Sequence, residues 1–349
     1  MELVALVIAF LIILLGAELF TNGIEWFGHK LGLAEGAVGS VLAAVGTALP
    51  ETMIPLIAIL AGSSVASDEV GIGAILGAPF MLSTLAMFVT GVAVFRWARR
   101  RKTVTTLDVS SSVLVHDMKF FVVAYALAIA VAFLPADLTW PRIAVAVVLI
   151  TIYAYYVREH FQAEAGHGDP ELAPLRLHRL DLRAPAHPEP PRLRIVNLQV
   201  LLALACIVGG AYLFVGAVTD LSRSLGLDEI LLALIIAPIA TELPEKFNSV
   251  IWVRQGKDTL AMGNISGAMV FKSVVPTSVA LIFASSTWAI TSDSLLAFAS
   301  AGIAFLSTGI IFLPLVRGRS LGARTLLIGG PLYLLYVGLV CAKLAGLSF

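Results

Sequence analysis

Apolar runs of about 20 residues or more recur from one end of the chain to the other, each long enough to cross roughly 30 Å of bilayer hydrocarbon as a helix. Ten such runs lie near residues 2–28, 34–61, 69–95, 112–134, 139–157, 195–222, 228–253, 258–286, 294–316 and 325–346. A closed barrel is the other way to span a membrane, but it needs short alternating segments, and these runs are long and continuous. The expected fold is therefore all-α and integral to the membrane, with ten transmembrane helices. Composition agrees, because 59% apolar against 13% charged residues lies outside the globular range. No nucleotide motif, nucleophile constellation or sizeable soluble domain is present in the sequence, so an enzyme is not expected. Neither a cofactor, nor nucleic acid, nor an obligatory protein partner is expected; the partners are inorganic cations and the lipid bilayer.

The first span begins "MELVALVIAF" without a basic leader and exceeds a signal-peptide core, so it is expected to stay in the mature protein. The cysteines, Cys206 and Cys341, fall inside expected helices and read as small apolar residues. Net charge is zero, yet of 23 Lys and Arg, 17 fall on one side of a ten-span topology. Three fall on the other side (Arg142, Arg223, Lys343) and three at or near membrane depth (Lys119, Lys246, Lys272). The basic side is expected to be cytoplasmic, which leaves both termini outside a plasma (inner) membrane.

The chain repeats itself. Residues 15–51 align without gaps on residues 209–245, so that Leu31, Gly32, Leu33, Glu35, Thr47, Leu49, Pro50 and Glu51 meet Leu225, Gly226, Leu227, Glu229, Thr241, Leu243, Pro244 and Glu245. "VGIGAILGAPF" (70–80) likewise answers "LAMGNISGAMVF" (260–271). Five helices per half is an odd number, so the halves enter from opposite sides as inverted repeats, 1–158 and 195–349. That plan puts a substrate at the midplane between the repeats. Residues 159–194, rich in Pro, His and charge, are expected to be a solvated cytoplasmic linker. A metal site using His160, His167, His178 and His187 has no supporting ligand spacing.

In "GTALPE" Pro50 cannot donate to the carbonyl of Gly46, and in "ATELPE" Pro244 frees the carbonyl of Ala240. Thr47 with Glu51, and Thr241 with Glu245, lie one helical turn apart and so share a face. Brought together, the repeats aim two carboxylates, two hydroxyls and bare carbonyls at one place, an oxygen cage suited to a hard divalent cation such as Ca²⁺. Each buried carboxylate costs several kcal/mol unless it is partnered, and its presence twice at matching positions argues for a site.

These residues resemble the two signatures of the calcium/cation antiporter superfamily, whose usual form is G-T-S-L-P-E, and "GIGAILG" and "MGNISG" resemble the glycine-rich stretch that follows each. The resemblance covers both halves and implies secondary active antiport of Ca²⁺ against Na⁺ or H⁺ by alternating access. It nominates Glu51, Glu245, Thr47 and Thr241 as the Ca²⁺ shell, with Gly46 and Ala240 as carbonyl donors. The sodium positions depart from the family pattern: Ala48 and Glu242 replace the motif serines, and Ala78, Leu82, Ala268 and Lys272 replace the serine and amide or carboxylate ligands. Counting Glu51, Glu242, Glu245 and Lys272 gives minus three plus one, or minus two, which suits one divalent cation. Glu242 and Lys272 are expected to pair inside the cavity, with the ammonium where a monovalent ion would bind. The pair either titrates, giving proton-coupled exchange, or is a static pair. A passive channel, or an antiporter for Mg²⁺, Mn²⁺ or K⁺/Na⁺, remains the alternative.

Among other polar groups, Glu18 is a candidate gate residue, and Asn248 and Ser249 either line a passage or pack. His116, Asp117 and Lys119 sit near a helix end on the basic side, where charge is cheap. Gly73 with Gly77, and Gly263 with Gly267, are spaced for close helix packing.

Overall fold

The computed structural model describes residues 2–61, 65–100, 105–162, 172–181, 191–224, 243–291 and 294–344. The first half contains α1 (Glu2–Lys30), a π-helical segment (Ala37–Ala43) running into α2 (Ala44–Ala61), α3 (Val65–Met81), α4 (Met87–Trp97), α5 (Ser111–Ala130) and α6 (Thr139–Gln162). The second contains α7 (Leu193–Ser224), α8 (Leu243–Gln255), α9 (Asp258–Phe283), α10 (Leu295–Val316) and α11 (Gly329–Leu344). Among the described residues, 8 helices are long and apolar enough to cross a membrane, and Ala37–Ala48 is a shorter apolar helix. The fold is that of an all-α integral membrane protein. The expected spans reappear with small shifts, except that only the second part of the run near 228–253 is described, as α8.

The shared "LGL" of the two halves has a local cause where it is described. Gly32 sits at φ 63°, the left-handed residue that stops α1, and the Leu33 N–H returns to the Gly28 carbonyl at 2.9 Å. Beyond it α1 packs along α7, and the contacts obey a two-fold relation. A Cβ on Gly16 would meet Ile207 at 3.0 Å, and one on Gly210 would meet Ile13 at 2.8 Å; in the alignment Gly16 is the mate of Gly210, and the same offset carried two residues further back pairs Ile13 with Ile207. The same exchange of partners recurs at larger scale, because α9 packs on α5 while α3 packs on α10.

Helix α9 is the centre of the molecule, buried over nearly its whole length and packed against α2, α3, α5, α6, α8 and the π-helical segment. Apolar side chains of α1 and α7, including Val4, Ile8, Leu11, Leu201 and Leu213, are exposed on the outer surface, as a lipid-facing surface requires. Between α3 and α4 the helix widens into a π turn, Leu82–Ala86, just after Pro79, which cannot donate to the Ile75 carbonyl. Hydroxyls take up the displaced acceptors: Thr84 Oγ1 donates to the Phe80 carbonyl at 2.6 Å, and Ser307 Oγ of α10 donates to that of Ser83 at 2.6 Å.

Arg142, fully buried at the start of α6, donates to the carbonyls of Leu134 (2.8 Å), Pro135 (3.0 Å), Leu138 (2.7 Å) and Trp288 (3.1 Å). Hydrogen bonds from a charged donor contribute about 1.5–3 kcal/mol each. Arg142→Met should therefore lower the thermal midpoint clearly while leaving cation affinity as it was; a variant that melts like the wild type would remove this role.

Within the expected linker, residues 172–181 are largely accessible but docked on the helices at a few points. The Trp26 indole donates to the Ala173 carbonyl at 2.9 Å, Asn22 Oδ1 accepts the Arg176 N–H at 3.0 Å, and Gln199 Oε1 accepts the Leu177 N–H at 2.8 Å. Leu175 is buried among Trp26, Ile195 and Val196, so a leucine in a polar stretch is enough to dock it on α1 and α7. Glu18, the candidate gate or access-path residue, pairs with Arg176 at 2.8 Å. His160 belongs to α6 and is buried, while His167 and His187 lie outside the described residues.

Candidate cation site

Four side chains converge where α2, α8 and α9 meet. Thr47 on α2, Glu245 on α8, and Asn264 and Lys272 on α9 are each at most 2% exposed. Asn264 joins the two repeat motifs: its Nδ2 donates to the Glu245 carbonyl at 3.3 Å, and its Oδ1 lies 3.3 Å from Thr47 Oγ1. The Thr47 hydroxyl also lies 2.9 Å from the Ala43 carbonyl, so it is held by its own helix while touching the amide. Asn264 and Lys272 are eight residues apart and share a face of α9. The Lys272 carbonyl, deprived of a backbone donor by Pro276, accepts Thr277 Oγ1 at 3.3 Å, which keeps the helix intact below the ammonium.

Lys272 Nζ lies 3.4 Å from Glu245 Oε1. The ammonium thus pairs with a carboxylate nominated for the Ca²⁺ shell, whereas the expected partner, Glu242, lies outside the described residues together with Ala240 and Thr241. Neither Glu245 oxygen takes a hydrogen bond, and one turn along the same face both amide atoms of Asn248 also lack one among the described residues. Buried polar atoms in that state are uncommon in folded proteins and call for a partner. Ser249 resolves as packing, with its hydroxyl on the Ala261 carbonyl at 3.1 Å.

Gly46 is buried, with Phe20 of α1 2.9 Å from where a Cβ would stand, and Glu51 lies on α2 one turn from Thr47. Of the positions that depart from the sodium ligands, Ala48, Leu82 and Ala268 are fully buried and bring no polar side-chain atom. The first-half counterparts of Asn264 and Lys272 are Ala74 and Leu82, so polarity on the glycine-rich helices is one-sided. Asn264 escaped the sequence reading; its one signal was an amide inside an otherwise apolar, glycine-rich helix.

The glycine spacing is used at Gly263 and Gly267, which press α9 onto Ser40 of the π-helical segment. Nothing lies within 4 Å of a Cβ on Gly73 or Gly77 among the described residues. The expectation that Asp117 enjoys cheap charge at a helix end fails. Asp117 is fully buried because hydroxyls from distant parts of the chain reach it, Ser40 at 2.8 Å and Tyr156 at 3.0 Å. Lys119 is exposed as expected.

A family model described as sodium/calcium exchanger protein matches residues 1–158 and 196–345. Over 88 residues the chain is 32% identical to a putative antiporter, CaxA, of Alkalimonas amylolytica; that stretch is 25% of this chain and 28% of the relative, so the match spans under a third of the relative's length. Among solved structures, the sodium-calcium exchanger NCX_Mj soaked with 2.5 mM Na⁺ and 0.1 mM Ca²⁺ superposes with a TM-score of 0.70 at 13% identity, over 97% of each chain. The same exchanger soaked with 100 mM Na⁺ and 10 mM Sr²⁺ gives 0.72 at 14%, again over 97% of each chain. At that identity the likeness concerns the fold.

Proposed function

Since the chain belongs to the sodium/calcium exchanger protein family, and is thus a cation antiporter rather than an enzyme, we propose that it exchanges Ca²⁺ for Na⁺ or H⁺ by alternating access. The ion is held at the midplane between Glu51 and Glu245. The observation that carries this reading is Glu245 itself: fully buried, with neither oxygen hydrogen-bonded among the described residues and an ammonium 3.4 Å away. A buried ion costs several kcal/mol unless it is compensated, and Lys272 compensates this one in the absence of a cation. Ca²⁺ accepts six to eight oxygen ligands in a flexible shell; Glu51, Thr47, Thr241, Glu242 and the carbonyls of Gly46 and Ala240 complete it, with Asn264 and Asn248 as amide neighbours. Mg²⁺ demands stricter octahedral geometry and sheds water reluctantly, so it ranks second. The two halves, 1–158 and 195–349, act as the moving repeats, with both termini outside and residues 159–194 cytoplasmic in the plasma membrane.

The test is Ca²⁺ uptake into proteoliposomes under an imposed Na⁺ gradient and, separately, an imposed H⁺ gradient. Uphill accumulation under one of them, lost in Glu51→Gln, is the expected result. Flux that only equilibrates and ignores both gradients would overturn antiport in favour of a passive pathway. Normal transport by Glu51→Gln and Glu245→Gln would overturn the site.

A further inference from the structure

On the side of α9 away from Asn264 and Lys272, a second buried polar cluster is built around Asp117. Oδ2 accepts Ser40 Oγ at 2.8 Å and Ser266 Oγ at 2.5 Å; Oδ1 accepts the Tyr156 hydroxyl at 3.0 Å and lies 3.1 Å from His160 Nε2. An ionised carboxylate offers about four lone-pair positions and no donor, so these four neighbours fill it. His160 Nδ1 in turn lies 3.1 Å from the Tyr156 carbonyl, which can only accept. An imidazole that donates from both nitrogens carries two protons. The geometry is therefore that of a proton-loaded pair, an imidazolium on a carboxylate, with no net charge.

Two further observations give that proton a route and a consequence. A surface cavity of about 220 Å³ reaches His160, with His116 and Glu159 among its walls. These two pair at 3.1 Å and are each about a third exposed, and the His116 and His160 rings lie 5.2 Å apart. Water thus reaches a titratable side chain next to a buried one. At the other end, Asp117 holds Ser40 and Ser266, where α9 meets the π-helical segment backbone to backbone at Gly267. Ser266 is two residues from Asn264, which bridges Thr47 and Glu245.

We propose that Asp117 and His160 form a proton-binding site, separate from the cation site, whose occupancy locks α9 onto the π-helical segment and so sets the exchange rate by the pH on the side where the cavity opens. Removing the proton leaves one ring nitrogen with a lone pair facing an acceptor, Nδ1 against the Tyr156 carbonyl or Nε2 against Oδ1, and in either case a buried carboxylate without its compensating charge, so the contact loosens. The titratable and charged groups around the pair are His116 on α5, with Lys119 beside it, and Tyr153, Tyr156 and Glu159 on α6. The π-helical segment and α9 contribute the hydroxyls of Ser40 and Ser266. The regulatory half of this proposal rests on the antiport reading; the proton site does not.

Two measurements test it. In reconstituted protein, exchange under a fixed cation gradient is followed while pH is varied from 5 to 9 on each side separately. The wild type should respond roughly 5-fold or more, the lower end of usual coupling between sites, and from one side only. His160→Gln, which keeps an amide donor for Asp117 but cannot titrate, should lose this one-sided response when the exchange is driven by Na⁺, as should Asp117→Asn, and any pH dependence due to H⁺ as counter-ion should persist in both variants. Independently of transport, ¹⁵N-histidine NMR of the wild type in nanodiscs should show His160 passing from doubly to singly protonated, with its resonance identified by its loss in His160→Gln. A wild-type pH profile in a folded His160→Gln, or a His160 with one protonation state throughout, would overturn the proposal. If the wild type moves no cation, the antiport reading fails while the NMR titration still decides the proton site.

Discussion

Glu245→Gln should abolish cation exchange, and adding Lys272→Met to it should restore stability without restoring transport. The two side chains are buried 3.4 Å apart, and removing one member of such a pair costs about 3–5 kcal/mol, chiefly because the other charge stays behind. Glu245→Gln takes from Lys272 this carboxylate and takes from the cation one of its ligands, so both stability and Ca²⁺ response fall. Lys272→Met alone does the opposite to the cation. It leaves Glu245 charged with no ammonium to compete, so Ca²⁺ should bind about 10- to 100-fold more tightly, each factor of ten being about 1.4 kcal/mol. The cation-free protein should melt lower, and saturating Ca²⁺ should raise its midpoint by more than in the wild type, because a ligand that binds the folded state stabilises it. A thermal-shift series with and without Ca²⁺ on the two single variants and the double variant reads all of this. Equal Ca²⁺ shifts in wild type and Lys272→Met would mean that the ammonium does not compete with the cation.

The sequence made much of this legible, because hydropathy alone delimits spans that the lipid requires to be helical, and "LGL" and "LPE" recur at a fixed offset. It also nominated Thr47, Glu245 and Lys272 before any geometry was known. What it missed depends on how helices are rotated about their axes. The contact of the α9 ammonium with Glu245 is one that spacing along α8 does not specify. Asp117 looked like charge at a helix end because the partners that bury it come from Ser40 and Ser266, 77 and 149 residues away. Nor does "AVGSVLA" announce a π-helical segment. Its backbone is pressed directly against a glycine of α9, a tertiary contact with no local signature in either stretch.

That contact carries the second large effect: Gly267→Ala should leave little folded protein. A Cβ there would stand 1.9 Å from the Ser40 carbonyl oxygen and 2.5 Å from its carbon, and both are backbone atoms that no rotamer change can move. Relief requires α9 or the π-helical segment to shift by more than 1 Å, since ordinary contact begins near 3.4 Å. Helix α9 has no free side to move toward, being packed on α2, α3, α5, α6 and α8. Overpacking a tight interior usually costs about 1–3 kcal/mol and sometimes more, and here the shift also pulls Ser266 off Asp117 and Asn264 off Thr47. Gly263→Ala sets the scale by contrast. Its Cβ would lie 2.9 Å from Ser40 Oγ, a hydroxyl that can rotate away at the expense of its bond to Asp117, and 3.3 Å from the Ser40 backbone nitrogen, where a shift of a few tenths of an ångström is enough. That variant should fold, melt lower by a few degrees and show a weakened pH response. Monodisperse yield after extraction and the thermal midpoint, measured side by side, should rank wild type above Gly263→Ala and Gly263→Ala far above Gly267→Ala. The ranking follows from whether the added methyl meets a rotor or a peptide, so a Gly267→Ala protein with a wild-type midpoint would show that the two backbones do not touch.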